Sequence, residues 1–481
     1  MKQTVVIVGG GITGLTAAYR LASLKKENNL PLEIILLEAS NRLGGVISSQ
    51  IIDDDVDDYV IEHGPDAFLA DRPEMKNLLA DLGLDNNLLP TSKNNRRAFV
   101  AHRRKLVPLP TGFYLISPTN LWSLFKSKLF SLPGKLRIAF ETCLPANRDT
   151  ETDESAASFI ARRFGAELLA RAGEPLIGAI YMADVNLLSA QSTLPYFTTL
   201  EKKHGSIVRG LAKTHDHDSI TASGARYNLF SSFSTGVETI VTRLEEELSD
   251  VQIFLNTRLQ NVTSGSEKKW ALETENGQHF QADSVILAMP AKLTASIIAQ
   301  FDKKLSAKLA TIETIPSVVV NLLYRKKDIG HKFDGFGFVV PETEKQKFMA
   351  SGWISKKFSH RAPRRHEIVR VFLGGSRNPS LCDLPQEQLI QLAHNQLTPY
   401  LQIKAAPQNA WLTRWSHGLP FYRVSHAQTV QTIENYANAH PGLYFAGASY
   451  NGLGIPDCIR SAELTVAKVA NFLQVNACRV K

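Results

Sequence analysis

Six residues, Gly9-Gly10-Gly11-Ile12-Thr13-Gly14, set three glycines in a Gly-x-Gly-x-x-Gly turn, and Glu38 ends a later apolar run. The chemistry open to this set is capture of a phosphate-linked dinucleotide. Gly9 allows a tight turn, Gly11 lets backbone approach a pyrophosphate, and Gly14 lets a helix pack on its strand. The helix start then offers unpaired N–H groups and a positive dipole end to the phosphates. Glu38 is placed to accept a bond from a ribose hydroxyl. Taken alone, the pattern also admits a glycine turn with a purely structural role.

Arg42 follows Glu38 and leads into Leu43-Gly44-Gly45-Val46. An arginine can give a pyrophosphate a charge-assisted donor, and the glycine pair lets backbone pass close by. Near the far end, Gly452-Leu453-Gly454-Ile455 is a second glycine turn running into a helix. It can direct N–H groups at a ligand on which negative charge develops.

Other residues carry less. His204, His215 and His217 lie near Asp216 and Asp218 without metal-type spacing, and a solvated loop accounts for them. Asp53-Asp54-Asp55 with Asp57-Asp58 reads as an acidic hairpin tip, since calcium needs more regular ligands. Cys458, beside the second glycine turn, is open to a redox role, but a buried structural thiol is the simpler account. No Ser-His-Asp order or elbow motif points to hydrolysis, and no metal site is expected.

The elements that must position these groups follow from periodicity. Thr4–Val8 reads as a strand, a helix begins near Leu15, and Glu33–Leu37 is the next strand, with a hairpin-like stretch around Ile51–Ile61. From about Arg72 to Thr199 the pattern is mostly helical, with Pro73–Leu84 and Ser155–Ala172 as single helices. Ser117–Leu144 mixes Trp122, Phe125 and Phe130 with Lys126, Lys128, Lys135 and Arg137. Helices packed in a core with a solvated basic face explain that segment, and so does an amphipathic membrane-surface element. Val237–Leu248 is helical. A meander follows through Val251–Leu255, Gln260–Thr263, Trp270–Thr274 and His279–Ala282 into the strand Ser284–Pro290. Further strands are expected at Ser317–Tyr324, Gly335–Val340 and Ile368–Gly374, then a final strand at Gly442–Gly447 and a helix over Ile459–Leu473.

The expected class is α/β (α+β overall): a Rossmann-type nucleotide-binding domain of discontinuous segments, with β-rich and helical material inserted. Composition agrees with a globular chain, at 481 residues, 44% hydrophobic and 21% charged. The four cysteines, Cys143, Cys382, Cys458 and Cys478, are far apart and fit a reduced setting. The net charge of +8 suits solubility, an anionic membrane or an acidic ligand. Scattered basic residues with no accompanying motif argue against nucleic acid. No apolar run is long enough for a transmembrane helix, and a fold starting at residue 4 leaves no space for a leader. A bacterial, cytoplasmic chain is expected, with peripheral contact at the inner face of the membrane left open.

The glycine turn, with Glu38 and Arg42-Leu43-Gly44-Gly45, resembles the FAD fingerprint of the amine oxidase and protoporphyrinogen oxidase superfamily. Further stretches resemble it in the same order: Glu62–Phe68, Phe130–Lys135, Tyr181–Asp184, Trp415 with Gly418–His426, and Ser449–Cys458. They cover nearly the whole chain, and the match is most similar to the bacterial porphyrinogen oxidases of haem biosynthesis.

The resemblance implies contacts to FAD along the chain. Gly9 to Gly14 would take the pyrophosphate, and Glu38 with Ala39 the adenosine ribose. Arg42, Gly45 and Val46 would follow the cofactor, and backbone at Leu259 would meet the adenine. His63, Gly64, Pro65 and Asp66 would border the isoalloxazine, with Trp415, Leu453, Gly454 and Ile455 closing the flavin end. Substrate contacts are implied at Arg97, a propionate partner beside Arg96, and at Ala183, Trp353 and Phe358; surface charge and core packing remain equal accounts of these. No dedicated catalytic residue is assigned, because the flavin carries the chemistry.

The implied activity is oxygen-dependent oxidation of coproporphyrinogen III or protoporphyrinogen IX to the porphyrin, with release of hydrogen peroxide. A flavin amine oxidase or carotenoid desaturase-like enzyme, and a binder like the GDP-dissociation inhibitors, are the alternatives. Monomer and homodimer stay open. The implied domains are 1–68, 225–295 and 440–481 for FAD; 69–90, 200–224 and 296–439 for substrate; and 91–199 for the helical insertion.

Overall fold

In the computed structural model, residues 2–53, 58–94, 96–147, 152–214, 230–264 and 269–473 are described. Asp54, Asp55, Asp57, His215, Asp216, His217, Asp218 and Cys478 lie outside them.

Strand Gln3–Val8 sits inside a five-stranded parallel sheet, between Leu32–Leu37 and Ser284–Leu287. Gln252–Phe254 and Leu443–Phe445 form its edges, also parallel. The sheet is therefore assembled from three stretches far apart in sequence. Its central strands carry continuous apolar runs, Val5–Val8, Ile34–Leu37 and Val285–Leu287, because both faces are covered. Val5 and Ile7 point into one core with Leu15, Ala18, Ile459 and Val466, while Val6 and Val8 point into another with Trp270, Leu272 and Ile298. The opening helix, Ile12–Asn28, and the closing helix, Ile455–Phe472, thus share one face. Both begin earlier than periodicity indicates. Pro456 is accommodated because a first-turn residue needs no N–H partner.

A seven-stranded sheet is the second body, with strand Thr314–Arg325 flanked by His366–Gly374 and Asn409–Pro420. One face buries Val318, Val320, Leu322 and Tyr324 beneath helix Gln386–Leu401. The opposite face carries Val319, Asn321 and Leu323, and it looks towards hairpin Ser49–Ile52/Tyr59–Glu62.

Two range expectations change. The stretch 91–199 is not wholly helical: Phe99–His102 and Lys105–Pro108 extend the large sheet. Within 296–439, Leu305, Leu309, Val430 and Ile433 pack into the core of the parallel sheet. Helix Ser155–Ala172 is also interrupted. Gly165, with φ +94°, ends Ala156–Phe164, and a Cβ there would meet Arg137 at 2.6 Å. A lone glycine in an apolar period is compatible with a helix, so only the tertiary approach of Arg137 reveals the break.

Candidate functional site

At the start of the opening helix each glycine has a separate physical reason. Gly9 holds φ +106°, and a Cβ would stand 2.5 Å from the Ala288 carbonyl oxygen. At Gly14 a Cβ would meet the Gly9 carbonyl oxygen at 1.9 Å. A Cβ at Gly11 would meet no atom within 4 Å. That opening lies at the helix N-terminus, where no acidic residue occupies the first turn and, among the described residues, no side chain caps it. An open concavity with helix N–H groups and a positive dipole end fits a phosphate ester.

Glu38 ends its strand beside this turn. Its Oε2 accepts from Gly10 N at 2.6 Å, and Oε1 accepts from Ser40 N at 2.7 Å. The carboxylate therefore also fixes the turn, beyond the ribose contact expected of it. Ala39 is half-buried next to it. Thr257 N donates to the Glu38 carbonyl oxygen at 2.8 Å, which brings the chain entering Leu259 past the same point. Leu259 is buried and pairs with Thr274.

Arg42 is differently engaged from the expectation. Its guanidinium donates to the carbonyls of Leu43 at 2.8 Å, Ile47 at 3.1 Å and Gly45 at 2.5 Å. It shapes the glycine loop by gathering its carbonyls. That loop crosses the first turn: Gly44 N donates to the Gly10 carbonyl oxygen at 2.8 Å, and Gly44 pairs with Gly11. Gly45 and Val46 stay uncovered, Val46 at 47% exposure. A loop that leaves an aliphatic side chain open beside a phosphate cradle suits a long ligand lying along it.

Beyond the loop, Gly64 packs so tightly on Val46 that a Cβ would reach the Val46 carbonyl oxygen at 1.7 Å. Three consecutive carbonyls here are held by side chains from three strands of the large sheet. Asn321 Nδ2 donates to the Glu62 carbonyl at 3.1 Å and Trp415 Nε1 to the His63 carbonyl at 3.2 Å. Arg370 Nη2 donates to the Gly64 carbonyl. Lys357 Nζ meets both oxygens of Asp66, at 3.0 and 3.1 Å. Burial works to raise the Asp66 carboxyl, but Lys357 and Arg370 outweigh it and hold it below the usual carboxylate range. Burial raises Glu62, against the pull of Arg361 at 3.1 Å. Burial, with help from Arg370 and Arg42, lowers His63, whose Nδ1 lies 2.8 Å from the Thr413 hydroxyl. The segment Glu62–Asp66 is thus rigid backbone in a charged frame.

The second glycine turn is built by the late aromatic stretch. Tyr422 is fully buried, its hydroxyl donates to the Ala448 carbonyl, and Gly452 N donates to that hydroxyl at 3.0 Å. His426 stacks on it with centroids 4.2 Å apart. Gly452 holds φ +111°, with Leu453 and Gly454 half-buried and Ile455 buried behind them. Asp457 Oδ2 accepts from Gly454 N at 3.3 Å, while Arg460 and Arg72 approach its other oxygen at 3.0 and 3.6 Å. Gly447, which precedes this stretch, lies beside the first turn, where a Cβ on it would meet the Thr13 hydroxyl at 3.5 Å. Cys458 is buried, and burial pushes its thiol up to about 12, so it is protonated at neutral pH.

The four implied substrate residues separate. Arg97 is exposed, and its nearest ion partner, Asp334, is 3.8 Å away. Arg96 instead donates to the Ser92 and Thr91 carbonyls. Ala183 is buried, beside Met182 and the carbonyl that Gly375 approaches. Of the two accounts of Trp353, pocket wall and core packing, its burial supports the second. Its indole, at 0% exposure, packs against Phe99, His331, Phe333 and Phe338. It belongs to the core on the face of the sheet opposite Asn321. Phe358 is buried between Lys357 and Arg361.

Sequence reasoning missed Asn321, Arg370 and Lys357, and gave Tyr422 no role beyond its place in the Gly418–His426 stretch. A signal existed for two of them, because Asn321 and Arg370 each interrupt an apolar run, Val318–Leu323 and Ile368–Leu373. A polar side chain in the middle of a buried strand must have a partner there.

Comparison with known proteins gives the geometry its context. The model of flavin containing amine oxidoreductases matches residues 12–470. A coproporphyrinogen III oxidase of Bacillus subtilis is 34% identical, across 98% of this chain and 99% of its own. That of Staphylococcus aureus is 29% identical, with the same coverage. A crystal structure from Exiguobacterium, described as a protoporphyrinogen oxidase, superposes with a TM-score of 0.84 at 29% identity. It covers 98% of this chain and 99% of its own.

Proposed function

The chain belongs to the flavin containing amine oxidoreductase family, and on that premise we propose that it is an FAD-dependent oxidase converting a porphyrinogen to the porphyrin in haem biosynthesis. The observation that carries this reading is the full-length likeness to coproporphyrinogen III oxidases. It favours coproporphyrinogen III over protoporphyrinogen IX as the substrate. The net reaction removes six hydrogens from the macrocycle and turns three molecules of oxygen into three of hydrogen peroxide.

Bound in this site, FAD supplies the two-electron acceptor and its reoxidation by oxygen. The chain's own residues do the rest. The Gly9–Gly14 turn anchors the pyrophosphate and Glu38 the adenosine ribose. Arg42 holds the Gly44–Val46 loop open along the cofactor. The clamp of Asn321, Trp415 and Arg370 fixes the Glu62–Asp66 segment at the flavin edge. At the rim, Arg97 keeps 59% of its side chain exposed with a weak ion partner, so its guanidinium is free to meet a propionate.

A cytoplasmic enzyme that rests on anionic membrane is the accompanying proposal. Among the described residues no helix is long and apolar enough to cross a membrane. Segments Leu121–Lys126 and Leu132–Cys143 nevertheless expose Trp122 at 68% and Leu132 at 64%, with Leu136 and Phe140. Lys126 lies 5.3 Å from the Trp122 ring, and Lys128 is exposed nearby. Apolar side chains among lysines complement an acidic lipid surface. Cosedimentation with vesicles containing phosphatidylglycerol should be lost in Trp122→Glu with Leu136→Glu. Concentration-dependent dimerisation through the same face, without lipid binding, would overturn the membrane reading.

The central test is anaerobic mixing of the purified yellow protein with each porphyrinogen, followed by aeration. Bleaching of the flavin band and porphyrin fluorescence with coproporphyrinogen III are expected. Reduction by protoporphyrinogen IX alone would reassign the substrate, and reduction by neither would overturn the proposal.

A further inference from the structure

Arg370 stands in the middle of strand His366–Gly374 at 2% exposure, and its nitrogens are unevenly used. Nη2 holds the Gly64 carbonyl, while Nε and Nη1 have no partner among the described residues. Buried charged donors are matched in native proteins by protein, water or ligand, so an unmatched pair marks a place that something else fills. The neighbours narrow what that is. Across the sheet, Arg370 faces Asn321 on one side and side-chain-free Gly352 on the other. Its guanidinium carbon lies 5.2 Å from the Phe372 ring centroid. It therefore sits directly behind the Glu62–Asp66 segment, beside an aromatic wall.

The charge balance around it is uneven too. Lys357 is paired with Asp66, and Arg361 with Glu62. Arg370 touches a carbonyl and has no carboxylate within ion-pair distance among the described residues. At the other candidate source of positive potential, the start of the closing helix, Asp457 occupies the first turn and offsets the dipole.

We propose that Arg370 is the fixed positive charge of the flavin pocket, locking the Gly64 carbonyl with one N–H and turning Nε and Nη1 towards the isoalloxazine. This rests on the reading above that FAD lies along Gly64–Asp66. Each round moves a hydride from a substrate carbon to the flavin, and an N–H proton leaves the substrate for solvent. Oxygen then takes the two electrons with two protons as hydrogen peroxide. Negative charge arrives at the cofactor in the first of these steps, and a desolvated guanidinium favours it far more than an exposed one would.

The test reads the flavin without substrate. Arg370→Met and Arg370→Lys would be compared with the unaltered holoenzyme for flavin midpoint potential and for sulfite affinity, followed as bleaching of the flavin band. Arg370→Met should weaken sulfite binding at least about tenfold and move the potential about 30 mV more negative, the two-electron equivalent of tenfold. Arg370→Lys should recover part of both, because it restores charge without the fork. Unchanged potential and sulfite affinity in Arg370→Met would overturn the proposal. So would a change confined to the KM for porphyrinogen, which would assign the free donors to a propionate. Should Arg370→Met fail to fold, Arg370→Lys and Arg370→Gln with equal potentials would overturn it as well. Failure of both porphyrinogens to reduce the unaltered enzyme would remove the substrate assignment and leave these flavin measurements decisive.

Discussion

Two glycine turns in this molecule lead into long helices, and they are electrostatically unlike. The first, at Gly9–Gly14, has no acidic residue in its first helical turn and an open space at Gly11. The second, at Gly452–Gly454, carries Asp457 in its first turn, which accepts from Gly454 N and is approached by Arg460 and Arg72. The first helix start is left bare, as a pyrophosphate site would require. One that already contains a carboxylate is compensated by its own chain, and its backbone is fixed by Tyr422 instead of by a ligand's charge. A glycine turn before a helix is therefore not a sufficient sign of an anion site. The second turn, expected to stabilise negative charge on the flavin, carries Asp457 in its first helical turn, and the proposal above gives that role to the buried guanidinium of Arg370.

The comparison breaks most sharply within the first turn. Gly14→Ala should destabilise the fold by several kcal/mol, because its Cβ would lie 1.9 Å from the Gly9 carbonyl oxygen. Gly11→Ala should fold with a near-normal melting temperature and lose FAD affinity roughly 100-fold, since the methyl fills only the ligand's space. Melting curves with flavin-to-protein absorbance ratios separate the two, and equal destabilisation would refute the distinction. At the second turn, Tyr422→Phe should cost about 1–3 kcal/mol by leaving a buried carbonyl and the Gly452 N–H without their partner. FAD content should remain near that of the parent. Asp457→Asn should make the second turn resemble the first, raising sulfite affinity about threefold as a carboxylate leaves a helix start. A fall would show that Asp457 matters through Arg72 and Arg460.

The smallest expected effect is on pH dependence. His426 is buried and lowered mainly by burial, and its Nε2 lies 3.0 Å from the Tyr450 carbonyl oxygen. His63 is lowered for the same first reason. The unfolded chain thus binds more protons than the folded one around their ordinary value. Stability from these groups is present above about pH 6.5 and declines as pH falls below it. The melting temperature should drop between about pH 7.5 and about pH 5.5, with a shallower slope in His426→Gln.

How far the sequence reached differs from element to element. The Gly9–Gly14 turn was legible because its demands are local: positive φ at Gly9 and close approach at Gly14 are properties of residue type. Most strands of the parallel sheet were legible through apolar runs, but Val251–Leu255, read as the start of the meander, instead joins that sheet as its edge. Asn321, Trp415 and Arg370 are scattered along the chain, yet they grip three adjacent carbonyls. Only the resemblance singled out Trp415, and nothing local showed that the three converge. Trp353, for which pocket wall and core packing were equal accounts, shows the opposite case. An aromatic near a pocket motif looks functional, but strand alternation turned it to the far face, among Phe99, Phe333 and Phe338.

By itself the sequence determined the strand, glycine turn and helix around Gly9–Gly14 and, by resemblance along its length, that the cofactor is FAD. Those conclusions rest on short-range backbone conformation and on the order of motifs, both of which a chain carries in its residue types. Tertiary structure alone decided which helix start is left uncompensated, which carbonyls the large sheet holds, and which buried cation has donors to spare. These depend on desolvation and on the meeting of strands distant in sequence, and a residue's charge gains its meaning only from what surrounds it once it leaves water.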